Sequence, residues 1–482
     1  MMNRSLLNRR LFLRNILYSS AALTAGCSLI KKTKKPNILF LFTDDQRYDT
    51  IRALGNDEIF TPNMDALTQN GLSFTNAYIM NGQSAAVCMP SRAMLLTGRS
   101  TFNLQENGRS IPKEHITMPE QFKQAGYTTF GTGKWHNGTG SFQRSFTQGG
   151  KIMFGGMSSH YDIPIYDFNP LGDYAPEKQY TLQEKHSSNV YADEAIRFLH
   201  RYDGNNPFFM YVAFQAPHDP REMPEEFLQM YDPETLSLPP NFKPRHPFNN
   251  GELTVRDEKL AEWPRTPQEI KQHLAAYYAM ISHLDHEIGK IIDTLKAKKR
   301  YDNTIIVLAG DNGLAVGQHG LMGKQNCYEH SLKVPLLFCG PGIPKNEERN
   351  ALCFLHDLFP TLCDWLGVEI PSTVQSASLM PCFGSSCQVH DELVFAYKNF
   401  QRALRYNNWK LICYNVDGVK TEQLFNLKTD PWETNNLADK EEYQDLLQSL
   451  KSRLQKGLET AGDNVILEKP DWNVEPIPAW GQ

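Results

Sequence analysis

A chain of 482 residues is long enough for one large α/β unit with an appendage. Its 40% apolar and 21% charged residues match a globular protein and exclude collagen-like, disordered and channel-forming classes. The formal charge of −5 falls to −9 once residues 1–26 are set aside with their four arginines and no acids, so no nucleic acid partner is expected.

The chain opens with NRRLFLRN, in which Arg9, Arg10 and Arg14 surround Phe12 and Leu13 as in a twin-arginine export signal. ILYSSAALTAG then supplies an apolar stretch too short to span a bilayer and ends at Cys27. LTAG before Cys27 is similar to a lipobox, with Thr24 where Leu is usual. We expect an export signal over 1–26, lipidation at Cys27 and a linker over 27–35; a plain cleaved signal is the alternative. The mature protein would then work in the periplasm or at the cell surface, tied to a membrane only through that lipid. Seven cysteines remain beside Cys27 and Cys88, an odd number without zinc-site spacing, and read as buried small apolar residues. Cys382 and Cys387, separated by FGSS, are close enough in sequence to bridge in an oxidising compartment, but the reading leans against it.

Along the chain, NILFLFTDD (37–45), YTTFGTGKWH (127–136), FFMYVAFQAPH (208–218) and TIIVLAGDNG (304–313) read as buried strands with chemistry at their C-terminal ends. TPNMDALTQNG (61–71), MPEQFKQAG (118–126) and the long segment 267–299 have helical periodicity, the first two closing on glycine. This alternation predicts an α/β fold whose ligands sit beyond the carboxyl ends of the strands. Residues 138–190, rich in Gly, Ser, Tyr and Pro, read as long surface loops. From about residue 376 the texture shifts to β-prone segments joined by Asn and Gly turns, then a helix, which predicts a smaller C-terminal α+β subdomain over 376–482 beside a domain over 36–375.

Two strand ends carry hard oxygens, Asp44-Asp45 and Asp311-Asn312. Three carboxylates gathered with an amide oxygen need a cation among them, and an all-oxygen set favours Ca²⁺ or Mg²⁺. Lys134 and His136 alternate across Trp135, so a persisting strand would point both to one face, suited to an anion and to proton transfer. His218 ends another strand between prolines. Cys88 in CMPSRAMLLTGR falls at a helix start, where free amides favour an anion, with Arg92 four residues on along the same face. A thiolate attacking a sulfate ester would be left S-sulfonated with no easy exit, and a serine would be left as a new ester. An aldehyde hydrate resolves this: one hydroxyl attacks sulfur, and the other, once deprotonated, collapses to the aldehyde and expels sulfate.

CMPSRAMLLTGR resembles the type I sulfatase signature, whose cysteine is converted to formylglycine. The resemblance extends over PNILFLFTDDQR, TPNMDALTQNGLSFTNAY, GKWH, DNGLAVGQHGLMGKQNCYEHSLKVPLL and LFNLKTDPWETNNLA. It implies an alkaline-phosphatase-like sandwich, with a large, mostly parallel or mixed sheet flanked by helices and a small C-terminal subdomain with an antiparallel sheet. By position, Asp44, Asp45, Asp311, Asn312 and the modified Cys88 (3-oxoalanine) would hold one Ca²⁺. Arg92 and Lys134 would hold the nucleophile, His136 would take the proton that releases sulfate, and His218 and Lys324 would bind the ester and assist the leaving group. The implied partners are a sulfated carbohydrate, from algal polysaccharide or a glycosaminoglycan, and a formylglycine-generating maturation enzyme.

Asn137, where leucine is commoner, is expected in the substrate pocket. His283 and His286 read as a helix surface, and Arg109, Arg144, His160 and Arg221 as candidates for a sugar carboxylate or second sulfate. The rival readings are a phosphodiesterase or phosphonate monoester hydrolase of the same superfamily, and a non-catalytic glycan-binding lipoprotein with Cys88 still a thiol.

Overall fold

The computed structural model describes residues 34–472 except 184, 386 and 471. The expected signal over 1–26 and its Cys27 lie outside the described residues. No described helix is long and apolar enough to cross a membrane.

In chain order the strands are β1 (Asn37–Thr43), β2 (Gly71–Phe74), β3 (Ala77–Tyr78), β4 (Asn81–Gly82), β5 (Thr128–Lys134), β6 (Gln148–Met153), β7 (Ile163–Ile165), β8 (Tyr180–Leu182) and β9 (Phe208–Ala213). They continue with β10 (Thr304–Gly310), β11 (Leu336–Cys339), β12 (Glu347–Arg349), β13 (Cys353–Phe354), β14 (Glu392–Tyr397), β15 (Gln401–Tyr406), β16 (Trp409–Val416) and β17 (Val419–Asn426). The main sheet has the order β12-β2-β11-β10-β1-β9-β5-β6. Its centre is parallel, β1 between β10 and β9, while β11 runs antiparallel to β10 and β2.

β1 explains why the strand runs are apolar throughout. Ile38, Phe40 and Phe42 belong to one core, and Leu39 and Leu41 to the core on the other face. A strand covered on both sides has no polar face to show, so its sequence reads as an unbroken apolar run. On the Leu39 side lies the helix Pro267–Ala297, which buries Ile270, Leu274, Ile281 and Ile288. On the Phe40 side lie the helices Cys88–Thr97, Met118–Gln124 and Leu358–Trp365, together with Leu393, Phe395 and Leu411 of the second sheet. The second sheet therefore shares a core with the first, and from Pro36 onward the described chain forms one compact unit.

The second sheet has the order β17-β16-β15-β14-β4. Its four C-terminal strands are an antiparallel meander, and β4, from the far end of the chain, pairs parallel to β14. The helix Gln444–Ala461 follows, burying Leu447, Leu450, Leu454 and Leu458 at helical spacing and closing on Gly462 in the left-handed region.

Several sequence expectations need correction. Residues 138–190 are not merely loops: they hold the helix Thr139–Ser145, the β7–β8 ladder, the start of the helix Ser187–Arg201, and β6, which closes one edge of the main sheet. β6 reads QGGKIM, and two glycines plus half-exposure at an edge erase its alternation. Gly71 opens β2 rather than capping the helix Pro62–Gln69, whose cap is Asn70. His283 is not on a helix surface. It is 1% exposed, with its ring against His186 and Phe227. Cys382 and Cys387 are disulfide-bonded, where the sequence leant against a bridge; their Cα atoms lie 5.0 Å apart, within bridging range.

Candidate active site

Four parallel strands deliver their C-terminal ends to one place. β1 ends before Asp44, β10 before Asp311, β5 at Lys134, and β9 leads through Gln215 to His218. The backbone binds these ends together: the Asp44 N–H donates to the Ala216 carbonyl at 3.2 Å and the Asp311 N–H to the Thr43 carbonyl at 3.0 Å.

Sharp backbone turns aim the side chains. Asp45 has φ 63° and His136 φ 71°, both in the region that non-glycine residues rarely adopt and that clusters at functional sites. His136 therefore does not continue β5, and the expected strand alternation of Lys134 and His136 fails. The two still meet, because the chain turns back beneath Cys88. Just before, the β5–β6 pairing carries a bulge, with Lys151 of β6 (φ 51°) the extra residue between the partners of Thr132 and Gly133, and Gly133 itself has φ +90°.

Cys88 is the first residue of the helix Cys88–Thr97 and is 1% exposed. Its Sγ lies 3.5 Å from His136 Nδ1 and 3.6 Å from Lys134 Nζ. Asp44, Cys88 and Asp311 offer ligand atoms all within 4.8 Å of one another, as do Asp44, Asp45 and His218. Arg92, fully buried, sits under the carboxylates rather than against Cys88. Its Nε donates to Asp311 Oδ2 at 2.9 Å, Nη2 to Asp44 Oδ2 at 3.3 Å and Nη1 to the Lys134 carbonyl at 2.8 Å. Lys134 Nζ also pairs with Asp44 Oδ2, and Lys324 Nζ spans Asp45 Oδ1 and Oδ2 at 2.6 and 2.8 Å.

Two buried oxygens in this cluster have no hydrogen-bond partner, Asp44 Oδ1 and Asn312 Oδ1. Burial of unpaired acceptors is costly, and it is rare unless something binds there. The electrostatics agree. Burial, with the charge of Asp44, pushes Asp311 up to about 7. Burial likewise lifts Asp45 to about 6 against the pull of Lys324. Burial also acts on Asp44, but Lys134 and Arg92 outweigh it and hold that carboxyl well below the usual range. Three carboxylates that cannot all ionise comfortably, with two unpaired oxygens, form a donor set that fits a hard divalent cation.

His136 and His218 are kept neutral, His136 by burial and Lys134, His218 by burial and Lys324, which bring the latter to about 3. His218 Nδ1 donates to the Asp219 carbonyl at 2.7 Å, leaving Nε2 to face Asp45 Oδ2 at 3.7 Å. Burial pushes the Cys88 thiol up against the pull of Lys134 and Lys324, so it is not a ready thiolate.

A cavity of about 230 Å³ opens over these groups, lined by Cys88, His136, His218 and Lys324. Its outer wall, Ala85–Ala86, Gly156–Met157 and Val255–Asp257, escaped sequence reasoning because irregular loops carry no periodicity. Arg256 at the mouth is held by Asp219 and Asp257. Asn137 does not reach the pocket: it is buried and donates to the Met89 and Gly108 carbonyls, fixing the Cys88 helix against the turn that follows it. Arg144 is tied to Glu120 and to the carbonyls of Ile111, Pro112 and His115, Arg221 packs on His273, and Arg109 is exposed outside the lining. His160 lies behind the site, bridging Ser187 Oγ and the His218 carbonyl.

A sulfatase family model matches residues 36–368, and a model described as N-sulphoglucosamine sulphohydrolase, C-terminal, matches residues 317–460. An N-acetylglucosamine-6-O-sulfatase of Bacteroides thetaiotaomicron is 28% identical over 93% of this chain and 91% of its own length. An ulvan-active sulfatase of Formosa agariphila is 29% identical over 92% of this chain and 87% of its own. A solved structure in complex with its substrate D-glucosamine-2-N,6-O-disulfate superposes with TM-score 0.76 at 25% identity, covering 90% of this chain and 100% of that one. The chain belongs to the sulfatase family, enzymes that hydrolyse sulfate esters, and the expected fold of a large mixed sheet with a separate antiparallel C-terminal sheet is the one observed.

Proposed function

We propose that the chain hydrolyses a sulfate ester on a carbohydrate at the Cys88 pocket, once Cys88 has been converted to formylglycine. The observation that carries the reading is the carboxylate cluster with two unpaired oxygens set against a buried, protonated Cys88. When bound, Ca²⁺ would offset the carboxylates and polarise a sulfate oxygen, and a hydrated aldehyde at residue 88 would supply the attacking hydroxyl.

The side chains divide the remaining work. Asp44, Asp45, Asp311 and Asn312 hold the ion, and Arg92 fixes two of those carboxylates in place. Lys134 and Lys324 draw the sulfate in by charge, at the start of a helix whose free amides favour an anion. His136, neutral and nearest residue 88, accepts the proton whose loss expels sulfate. His218 and Lys324 line the same cavity and assist departure of the sugar oxygen. The carbohydrate rests on the relatives above, two of which act on amino sugar or ulvan sulfates by their names, and the cavity has room for a sulfate and the ring that bears it. The twin-arginine and LTAG-Cys27 patterns support export and a lipid anchor, which would place the enzyme where extracellular glycans arrive.

Mass spectrometry of the peptide spanning residue 88, run beside desulfation of defined sulfated oligosaccharides, tests this. Oxygen in place of sulfur should track activity across preparations. Full activity from a wholly thiol Cys88 would overturn the mechanism, and turnover of aryl phosphate diesters in preference to sulfate esters would move the chain to the phosphodiesterase reading.

A further inference from the structure

The segment 156–160 belongs to no helix or strand, and its two ends do different things. Gly156 and Met157 line the Cys88 cavity. Ser158, Ser159 and His160 grip the loop that carries His218. Gln215 Nε2 donates to the Ser158 carbonyl at 2.6 Å, and the Ser158 hydroxyl donates back to Gln215 Oε1 at 3.2 Å. The Ser159 hydroxyl and the His160 N–H both donate to Glu222 Oε2, at 2.7 and 2.6 Å. Gln215 and Glu222 lie on either side of His218, so the loop is held at both shoulders.

His160 reaches His218 itself. Its ring is fully buried, absent from the cavity lining, and stacked parallel on His186 with centroids 4.6 Å apart. Nε2 stands 2.8 Å from the His218 carbonyl and Nδ1 2.6 Å from Ser187 Oγ. A carbonyl can only accept, so Nε2 carries the hydrogen. Burial disfavours a second proton on the ring, so Nδ1 accepts from the Ser187 hydroxyl. Ser187, which opens the helix Ser187–Arg201, in this way selects the tautomer that can hold His218.

The bond matters because of where it falls. The His218 N–H is fixed on the Gln215 carbonyl at 3.0 Å, and with its own carbonyl fixed on His160 both peptide planes flanking the residue are pinned. This holds Asp219 in turn, whose carbonyl takes His218 Nδ1–H at 2.7 Å and leaves Nε2 to the cavity. We propose that His160 is a positioning residue for the reaction: by holding the His218 carbonyl, it aims His218 Nε2 at the departing sugar oxygen. The proposal rests on the reading of His218 as the group that assists that oxygen.

Kinetics on aryl sulfates of rising phenol pKa, from 4-nitrophenyl to phenyl sulfate, test this with calorimetry alongside. His160→Ala should lower kcat on phenyl sulfate by about 10- to 10²-fold and on 4-nitrophenyl sulfate much less, with KM nearly unchanged. His160→Gln, whose amide N–H reaches about as far as Nε2, should restore the wild-type dependence. Ser187→Ala keeps the ring but removes the hydroxyl that selects its tautomer. It should show the same dependence at smaller size, and it reports even where His160→Ala fails to fold. His218→Ala in the same series separates the two readings. If its loss rises with leaving-group pKa while those of His160→Ala and Ser187→Ala are absent or equal on every substrate, His160 is structural only and the proposal falls alone. If the His218→Ala loss is itself equal on every substrate, the leaving-group reading fails and takes this proposal with it. A His160→Gln enzyme that melts like wild type yet keeps the alanine variant's dependence also overturns the proposal.

Discussion

Gly133→Ala should damage stability and catalysis together, because one residue serves both. At φ +90° an alanine incurs about 1–2 kcal/mol of left-handed strain. Its Cβ would also sit 1.9 Å from the Ala213 carbonyl oxygen, on the central strand β9, and 2.8 Å from its carbon. Neither atom belongs to a flexible side chain, so β5 and β9 must part there and lose one or two ladder hydrogen bonds, worth about 1 kcal/mol each. The sum is about 2–4 kcal/mol. With an unfolding entropy of about 2.1 cal/mol/K per residue over some 440 ordered residues, that lowers Tm by about 2–4 °C. Lys134, next in the chain, moves with that part of β5, and a displacement of about 1 Å at a catalytic group can cost about 10²-fold in rate. Differential scanning calorimetry and kcat/KM on an aryl sulfate read the two effects. Gly126→Ala is the control: φ is +89° but a Cβ meets nothing within 4 Å, so only the strain remains and activity should hold. If Gly133→Ala matches Gly126→Ala in both measurements, the close-approach argument is wrong.

Three further outcomes follow from the same geometry. Ca²⁺ at a hundred times its Kd should stabilise the enzyme by about 2.7 kcal/mol, or about 3 °C, and Asp311→Ala should abolish both that shift and turnover; an unchanged Tm after exhaustive chelation would refute the ion assignment. His218→Ala should reduce sugar-sulfate hydrolysis by about 10²- to 10⁴-fold and aryl-sulfate hydrolysis much less, whereas His136→Ala should depress both and let sulfated enzyme accumulate; an equal loss for His218→Ala across a leaving-group series would demote it to binding. Burial lowers the His390 pKa, but its 2.8 Å hydrogen bond to Asp357 and that charge outweigh burial and raise it above 6.5. Its contribution to stability is therefore full below pH 6.5 and lost as pH rises through the folded value, so denaturation titrations should show a fall there that His390→Asn removes.

Much of the site was legible because its chemistry sits at the ends of strands whose runs are apolar on both faces. Asp44, Asp311 and His218 follow such runs, as Lys134 does at the end of 127–136. His136 was placed in the right site for the wrong geometric reason: a histidine at φ 71° leaves no mark in the sequence. Asn137 looked like a pocket residue by its departure from the commoner leucine, yet it serves two backbone carbonyls, a role that depends on loops far away in sequence. His283 read as surface because i,i+3 polar spacing on a helix ordinarily is, and only the approach of His186 and Phe227 buries it. The two-residue β4 carries no period at all, so its place in the second sheet was beyond reach.

That short strand has a bearing on how the protein is made. Asn81 and Gly82 pair with Ala396 and Tyr397, and the loop to Cys88 hangs directly from them. During synthesis the Cys88 segment leaves the ribosome long before β14 exists, and distant pairings of this kind close late. In the folded chain the thiol is 1% exposed. If residue 88 is converted to formylglycine as proposed, the converting enzyme would have to reach it before the fold closes over it.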